Sequence, residues 1–150
     1  HDIEDGVPPD EKTNARKLIA EAHSRTHPAK AAARFVRVNA IGHERMEQDL
    51  DAVIAPGLAG LVLPKVETVE EILDAANSVR RRESERRIAS ESIKFLVAIE
   101  SPRGLLNAAA IAGCSPRVIG LMFGAEDYGR DLGLRTAREG EARGARGQLL

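Results

Sequence analysis

Phe95-Leu96-Val97-Ala98-Ile99-Glu100-Ser101-Pro102-Arg103-Gly104 and Val118-Ile119-Gly120-Leu121-Met122-Phe123-Gly124-Ala125-Glu126-Asp127 follow one pattern: an apolar run closed by an acidic turn. Each run reads as a buried strand, because continuous rather than alternating apolar residues mark a strand covered on both faces of a parallel sheet. A carboxylate just past such a strand stands where α/β proteins place their chemistry. Two carboxylates from successive strands can meet at one divalent metal ion.

The same pattern recurs along the chain. Five strand-like runs end near Ile3, Val38, Leu63, Ile99 and Phe123, roughly 25–35 residues apart, the size of a βα unit. Helical segments lie between them. Pro9 is placed to start one, with Ala15, Leu18, Ile19 and Ala22 on its apolar face. Asp49 to Ile54 fits a short helix closed by Pro56-Gly57. Thr68 and Glu71 form a capping-box pattern ahead of Val69, Ile72, Leu73 and Ala76. Ser101 and Pro102 suit the N-cap and first position of a helix over Gly104 to Ala112, ended by Gly113. The charged run Arg80 to Arg87 reads as a solvated helix end.

Repeated βα units imply a parallel sheet, either doubly wound or closed as a (β/α)8 barrel. No G-x-G-x-x-G follows the first run, which removes the main support for a dinucleotide fold. Five units are too few for a closed barrel, which takes about 250 residues. The expectation is therefore an α/β chain of TIM-barrel type holding about five of its units. The partial barrel would occupy residues 1–136. Residues 137–150, rich in Gly and Arg, would form a poorly ordered or truncated helical tail.

The chain has 150 residues and a net charge of −1. That balance predicts no general attraction to nucleic acid or to an anionic membrane. Aromatic residues make up 3% and there is no Trp, which argues against stacking platforms for single-stranded nucleic acid. No apolar run reaches the ~18 residues of a membrane span. The single Cys114 leaves no internal disulfide and no Cys-based zinc site. No leader peptide is visible, and the chain opens on His1 rather than Met.

Glu100 and Asp127 are candidate ligands for a hard cation such as Mg²⁺, which binds oxygen donors, often one or two carboxylates. The alternative is two acidic residues favoured at helix N-termini by the helix dipole. Gly124-Ala125-Glu126-Asp127 is a candidate backbone cradle for a substrate carboxylate, or an ordinary βα turn. Arg37 stands inside the apolar run Val36-Arg37-Val38 and needs an anionic partner there. It is either a structural ion pair with Asp2, Glu4 or Asp5, or a group that stabilises oxyanion charge. Asp2, Glu4 and Asp5 are candidates to orient Arg37 or metal-bound water from behind. Lys65 and Glu67 end the third run and are further candidates for that supporting role. Lys65 is an anion contact or half of an ion pair with an acidic turn. His1, His23, His27 and His43 show no metal-ligand spacing. Ser101 lacks the setting of a nucleophile.

Five segments in order carry a resemblance: Asp2 to Lys12 (DIEDGVPPDEK), Val36 to Gly42 (VRVNAIG), Gly60 to Thr68 (GLVLPKVET), Ala98 to Ala108 (AIESPRGLLNA) and Gly120 to Gly133 (GLMFGAEDYGRDLG). Together they make the chain similar to the citrate lyase β-subunit-like family of CoA-ester lyases, within the HpcH/HpaI aldolase superfamily. The resemblance implies a (β/α)8 barrel with Mg²⁺ at the C-terminal face. It carries the metal ligands onto Glu100 and Asp127, the substrate-contacting, catalytic Arg onto Arg37, and the carboxylate-holding turn onto Gly124, Ala125, Glu126 and Asp127. It implies that one further strand precedes His1 and two follow Leu150. The catalytic acid/base would lie in that C-terminal part, often serving a neighbouring subunit.

The function so implied is Mg²⁺-dependent carbon–carbon cleavage of a 3-hydroxyacyl-CoA (citramalyl-, malyl- or citryl-CoA), giving a 2-oxoacid and acetyl-CoA or a homologue. CoA enters as part of the substrate. The alternatives are a CoA-independent pyruvate-type aldolase and a non-catalytic structural paralogue. Expected partners are the CoA thioester and the 2-oxoacid, with no nucleic acid and no membrane. The full-length protein is expected to be a homo-oligomer, a trimer or hexamer. The expected compartment is the cytoplasm, or the mitochondrion in a eukaryote.

Overall fold

A computed structural model describes residues 1–24 and 33–134. Its elements alternate as the apolar runs do: α1 (Lys12–Ser24), β1 (Phe35–Arg37), α2 (Met46–Val53), β2 (Gly60–Leu63), α3 (Val69–Glu85), β3 (Lys94–Ile99), α4 (Pro102–Gly113), β4 (Val118–Phe123) and α5 (Ala125–Asp131). The four strands are all parallel and lie in the order β1-β2-β3-β4. Each strand joins the side of its predecessor, so the winding never reverses. A doubly wound sheet reverses at its switch point; a barrel does not. The strand order therefore selects the barrel-type reading.

The core lies between the sheet and the helices. Val36, Leu61, Leu63, Phe95 and Val97 meet Leu50, Val53, Ile72, Val79 and Ile111, all fully buried. Each such side chain stabilises by roughly 1.5–3 kcal/mol over its exposed state. Local signals set the helix starts. Thr68 Oγ1 accepts from the Glu71 amide at 3.3 Å, and the Glu71 carboxylate accepts from the Thr68 amide at 3.0 Å. Ser101 Oγ accepts from the Gly104 amide at 3.1 Å, with Pro102 opening α4.

Several expectations are corrected. The run ending at Ile3 forms no strand. It contributes one parallel bridge, Asp2 with Arg37, because the chain bends away from the sheet at Glu4. Pro9 does not start a helix; Pro8 to Glu11 form turns and α1 begins at Lys12. On α1 Leu18 is exposed while Lys12 and Ile19 turn inward. α2 starts at Met46 rather than Asp49. On α3 Leu73 is exposed, and Ala75 and Val79 bury instead.

The strand Val118 to Phe123 is not buried on both faces. Among the described residues β4 is the sheet edge, and Ile119, Leu121, Met122 and Phe123 are each 40% exposed or more. The run Arg80 to Arg87 is not simply solvated. Arg82 is buried against Asp51 and Glu47, and Glu83 is buried against Arg117. The tail 137–150 and His27 lie outside the described residues.

Glu83 and Arg117 close the floor of the sheet. The Arg117 guanidinium donates to both Glu83 oxygens, at 2.9 and 2.6 Å, with each side chain 1% exposed. The Ile93 and Glu91 amides also donate to Glu83. Burial by itself would raise the Glu83 carboxyl; the Arg117 fork and those amides outweigh it and hold the carboxyl below the ordinary range. Arg117→Met should therefore destabilise the full-length protein by roughly 3–5 kcal/mol in urea, the scale of stranding one buried charge. A depressed folded-state value also sets the sign with pH: the pair's contribution is present above the ordinary glutamate range and lost as pH falls through it. A variant with wild-type stability at neutral pH would show that the pair holds nothing.

Candidate functional site

β3 and β4 run parallel with Ile99 opposite Phe123. The next residues are Glu100 and Gly124, and the Gly124 amide donates to the Ile99 carbonyl at 2.9 Å. That register sets the two acidic turns side by side. The fit is close. A Cβ on residue 124 would lie 2.5 Å from Glu100 Cγ and 3.0 Å from its Oε1, so only glycine lets Glu100 fold against the β4–α5 turn.

Glu100 is 8% exposed, and its buried Oε2 has no hydrogen-bond partner among the described residues. Asp127 lies in the first turn of α5, where its Oδ1 accepts from Arg130 at 2.6 Å. Burial first, then the Asp127 and Glu4 carboxylates, push the Glu100 carboxyl above its ordinary range; Lys65 and Arg37 oppose this. A carboxylate pair with one orphaned oxygen is short of positive charge, and a divalent cation would supply it. No group of three or more His, Cys, Asp or Glu among the described residues is arranged around a metal. The site could thus hold a cation through two carboxylates, as Mg²⁺ is commonly held, with water and substrate completing the shell.

The neighbouring strand ends carry a second cluster. Arg37 donates to Asp2 through Nε at 2.9 Å and Nη2 at 2.5 Å, and its Nη1 lies 3.1 Å from Glu4 Oε2. Lys65 Nζ donates to Glu4 Oε1 at 2.7 Å and Asp5 Oδ2 at 3.2 Å. Lys65 holds a positive φ of 55°, a conformation unfavourable for a residue with a Cβ. Burial would raise the Asp2 and Asp5 carboxyls, but bonds from Arg37 and Lys65 respectively keep both below the ordinary range. Gly6 makes room for the turn, since a Cβ there would collide with the Asp2 carboxylate.

The structure thus brings Asp2, Glu4, Asp5, Arg37 and Lys65 into one network whose charges reach Glu100. Arg37 and Lys65 are both ion-paired to the acidic turn in this state. The Arg37 side chain remains 31% exposed. Of its five N–H groups, two serve Asp2 and one faces Glu4, which leaves donors for a ligand. Glu67 stands apart from this network. It accepts from Ser101 Oγ at 2.6 Å, and its backbone carbonyl accepts from Asn107 at 2.8 Å. It braces the turn that carries Glu100. Ser101 is spent on capping α4 and on Glu67. Gly124 supplies no side-chain cap to α5, and Glu126 is exposed.

Three residues beneath the network are buried with no signal of that burial in the sequence, although Lys12 and Asn39 fall within segments that carry the family resemblance. Lys12, Asn39 and Asp49 are buried and bonded to one another in series. Lys12 and Asp49 sit in runs of polar residues and Asn39 follows an apolar one, and it is the packing of α1 on α2 beside the end of β1 that brings the three together. Tyr128, whose ring lies 5.0 Å from that of Phe123, backs the β4 end in the same unannounced way.

The HpcH/HpaI aldolase/citrate lyase family matches residues 1–150. The citrate lyase subunit beta of Haemophilus influenzae is 39% identical over 140 residues, 93% of this chain and 47% of that protein. The (3S)-malyl-CoA thioesterase of Cereibacter sphaeroides is 31% identical over 134 residues, 89% of this chain and 42% of that protein. Among solved structures, the citrate lyase beta subunit complexed with oxaloacetate and magnesium from M. tuberculosis superposes with a TM-score of 0.71 at 27% identity, covering 97% of this chain and 57% of that one. The chain spans about half the length of the curated relatives it matches.

An unpartnered Glu100 has a measurable signature. With no divalent cation present, Glu100→Gln in the full-length protein should raise stability by about 1 kcal/mol, the low end of the cost of a buried group left without its partner, because the amide has no charge to desolvate or to set against Asp127. A raised folded-state carboxyl costs stability as pH climbs through and above the ordinary glutamate range. The gain should therefore appear as pH rises through that range and vanish in acid. The rise in Tm that Mg²⁺ or Mn²⁺ confers on the parent protein should be absent in the variant. An equal metal-induced rise in both proteins would remove Glu100 from the cation site.

Proposed function

The chain belongs to the HpcH/HpaI aldolase/citrate lyase family, and on that premise we propose that it carries the metal and substrate half of a Mg²⁺-dependent carbon–carbon lyase. The substrate would be a 3-hydroxyacyl-CoA of the citramalyl-, malyl- or citryl-CoA kind. The observation that carries this reading is the buried, partnerless Glu100 oxygen set beside the Asp127 turn. Magnesium accompanies oxaloacetate in the M. tuberculosis relative, and its bound form would supply Lewis-acid polarisation of the substrate hydroxyl.

The chain's own residues do the rest of the positioning. Glu100 and Asp127 supply the anionic oxygens. The Gly124-led turn offers backbone N–H groups to the oxoacid carboxylate. Arg37, its fork already fixed by Asp2 and Glu4, presents its remaining donors where negative charge develops. In cleavage the hydroxyl loses its proton and its O–H electrons become the new carbonyl. The carbon–carbon bond then breaks, its electrons forming a thioester enolate, which takes up a proton to give the acyl-CoA. We place the group that handles these protons outside residues 1–150, in line with the family resemblance. The partial-barrel division at residue 136 and a trimeric or hexameric assembly belong to the same proposal.

The test is the full-length protein assayed against citramalyl-, malyl- and citryl-CoA with and without chelator. Cleavage should require Mg²⁺. Arg37→Lys keeps the charge but loses the planar fork, so kcat should fall by roughly 10²-fold, the scale of losing one oxyanion-stabilising donor. A variant with near-normal kcat and a lower Tm would assign Arg37 to the structural ion pair instead. Residues 1–150 expressed alone should show no turnover, since the exposed β4 edge is a liability for aggregation and the proton-handling group is missing.

A further inference from the structure

Lys12 is a buried ammonium that the chemistry above does not use. It is 7% exposed. Its Nζ donates to the Ile3 carbonyl at 2.5 Å, the Glu4 carbonyl at 2.6 Å and Asn39 Oδ1 at 3.3 Å. Among the described residues no carboxylate stands within ion-pairing distance of it. Asn39 links it to Asp49: the Asn39 backbone N–H and Nδ2 both donate to Asp49 Oδ2, at 2.8 and 2.5 Å. Asp49 is fully buried, and its other oxygen accepts from Arg16 Nε at 2.7 Å.

A buried ammonium is tolerable only when its N–H groups are all met. Here all three are met, two of them by successive carbonyls of the acidic turn. Those carbonyls flank the Glu4 carboxylate, which is 5% exposed and faces both Arg37 and Lys65. The Ile3 amide in turn donates to the Arg37 carbonyl at 2.8 Å. A shift of the turn would therefore move the anchors of Arg37 at both ends, its backbone and its guanidinium.

We propose that Lys12 is a positioning residue: by clamping the Ile3 and Glu4 carbonyls, it fixes the acidic turn that aims Arg37 and Lys65 at the candidate site. Asn39 and Asp49 hold the clamp in place from below. The consequence for turnover rests on the function proposed above; the placement of Arg37 does not, and the two are read separately.

The experiment labels the full-length protein with phenylglyoxal, an arginine-selective reagent, and follows individual arginines by peptide mass spectrometry. In Lys12→Met, labelling of Arg37 should quicken roughly tenfold, the scale of losing one hydrogen bond made by a charged group. Arg117, locked to Glu83, should keep its wild-type rate. Lys12→Arg, which retains a multi-donor cation, should lie closer to wild type than Lys12→Met. Unchanged Arg37 labelling, or labelling of Arg37 and Arg117 that rises in step, would overturn the proposal in favour of a general packing role. Should Lys12→Met not fold, Lys12→Gln is read by the same criteria. In the CoA-ester assay the folded variant should lose kcat in parallel with Arg37 protection. Wild-type protein that cleaves no CoA ester, with Arg37 labelling responding as expected, would sink the function and leave the positioning role standing.

Discussion

The parallel register of β3 against β4 is the constraint on which the candidate site depends. Ile99 lies opposite Phe123, so Glu100 and the Gly124 to Asp127 turn leave the sheet at the same height. A one-residue slip would send the alternate side chains to the other face of the sheet. It would also drive a side chain other than glycine's into Glu100. The core enforces the register from both sides. Val97 and Phe95 bury completely against helix residues such as Ile72 and Ile111, and the Glu83–Arg117 pair pins the opposite ends of the same two strands. Packing at the bottom of the sheet thus determines where carboxylates stand at the top.

Electrostatics divide that top edge into two unequal halves. On the β1–β2 side, every acid has a basic partner: Arg37 and Lys65 are shared among Asp2, Glu4 and Asp5. On the β3–β4 side that is not so. Among the described residues, one oxygen of the buried Glu100 has no partner, and Asp127 is paired with the exposed Arg130. Surface pairs of that kind contribute little, so Arg130 cannot stand in for a metal at Glu100. The imbalance is local and costly to the folded chain, a strain of the sort found at ligand sites. A family whose M. tuberculosis member binds magnesium with oxaloacetate gives that imbalance a natural resolution.

Among the described residues, β4 has a partner on one side only, and its apolar residues are exposed on both faces. The winding from β1 to β4 never reverses. The chain spans about half of the relatives it matches, consistent with an arc of a barrel.

The amino-acid sequence by itself determined the βα rhythm, the parallel sheet and the two acidic turns, because these rest on short-range signals. Continuous apolar runs need cover on two faces, and a capping box or a Ser-Pro pair satisfies helix amides within three residues. The motifs that carry the family resemblance lie on the same strand ends, which is why Glu100, Asp127 and Arg37 stand out as candidates in the sequence alone. Only the tertiary structure decided what each charge faces. The sequence offered Arg37 an ion pair or a free role, and the fold pairs it with Asp2 and Glu4 while leaving donors to spare. Arg80 to Arg87 looked solvated, yet Arg82 and Glu83 bury, because α2 and the β3–β4 floor supply partners from about 30 residues away. The apolar run ending at Ile3 stopped at a single bridge, and β4 stayed exposed, because burial belongs to neighbours and not to composition. The burial of Lys12, Asn39 and Asp49 was illegible for the same reason. A polar residue reads as solvated until packing removes the water, and then its hydrogen-bond partners, distant in sequence, define its role.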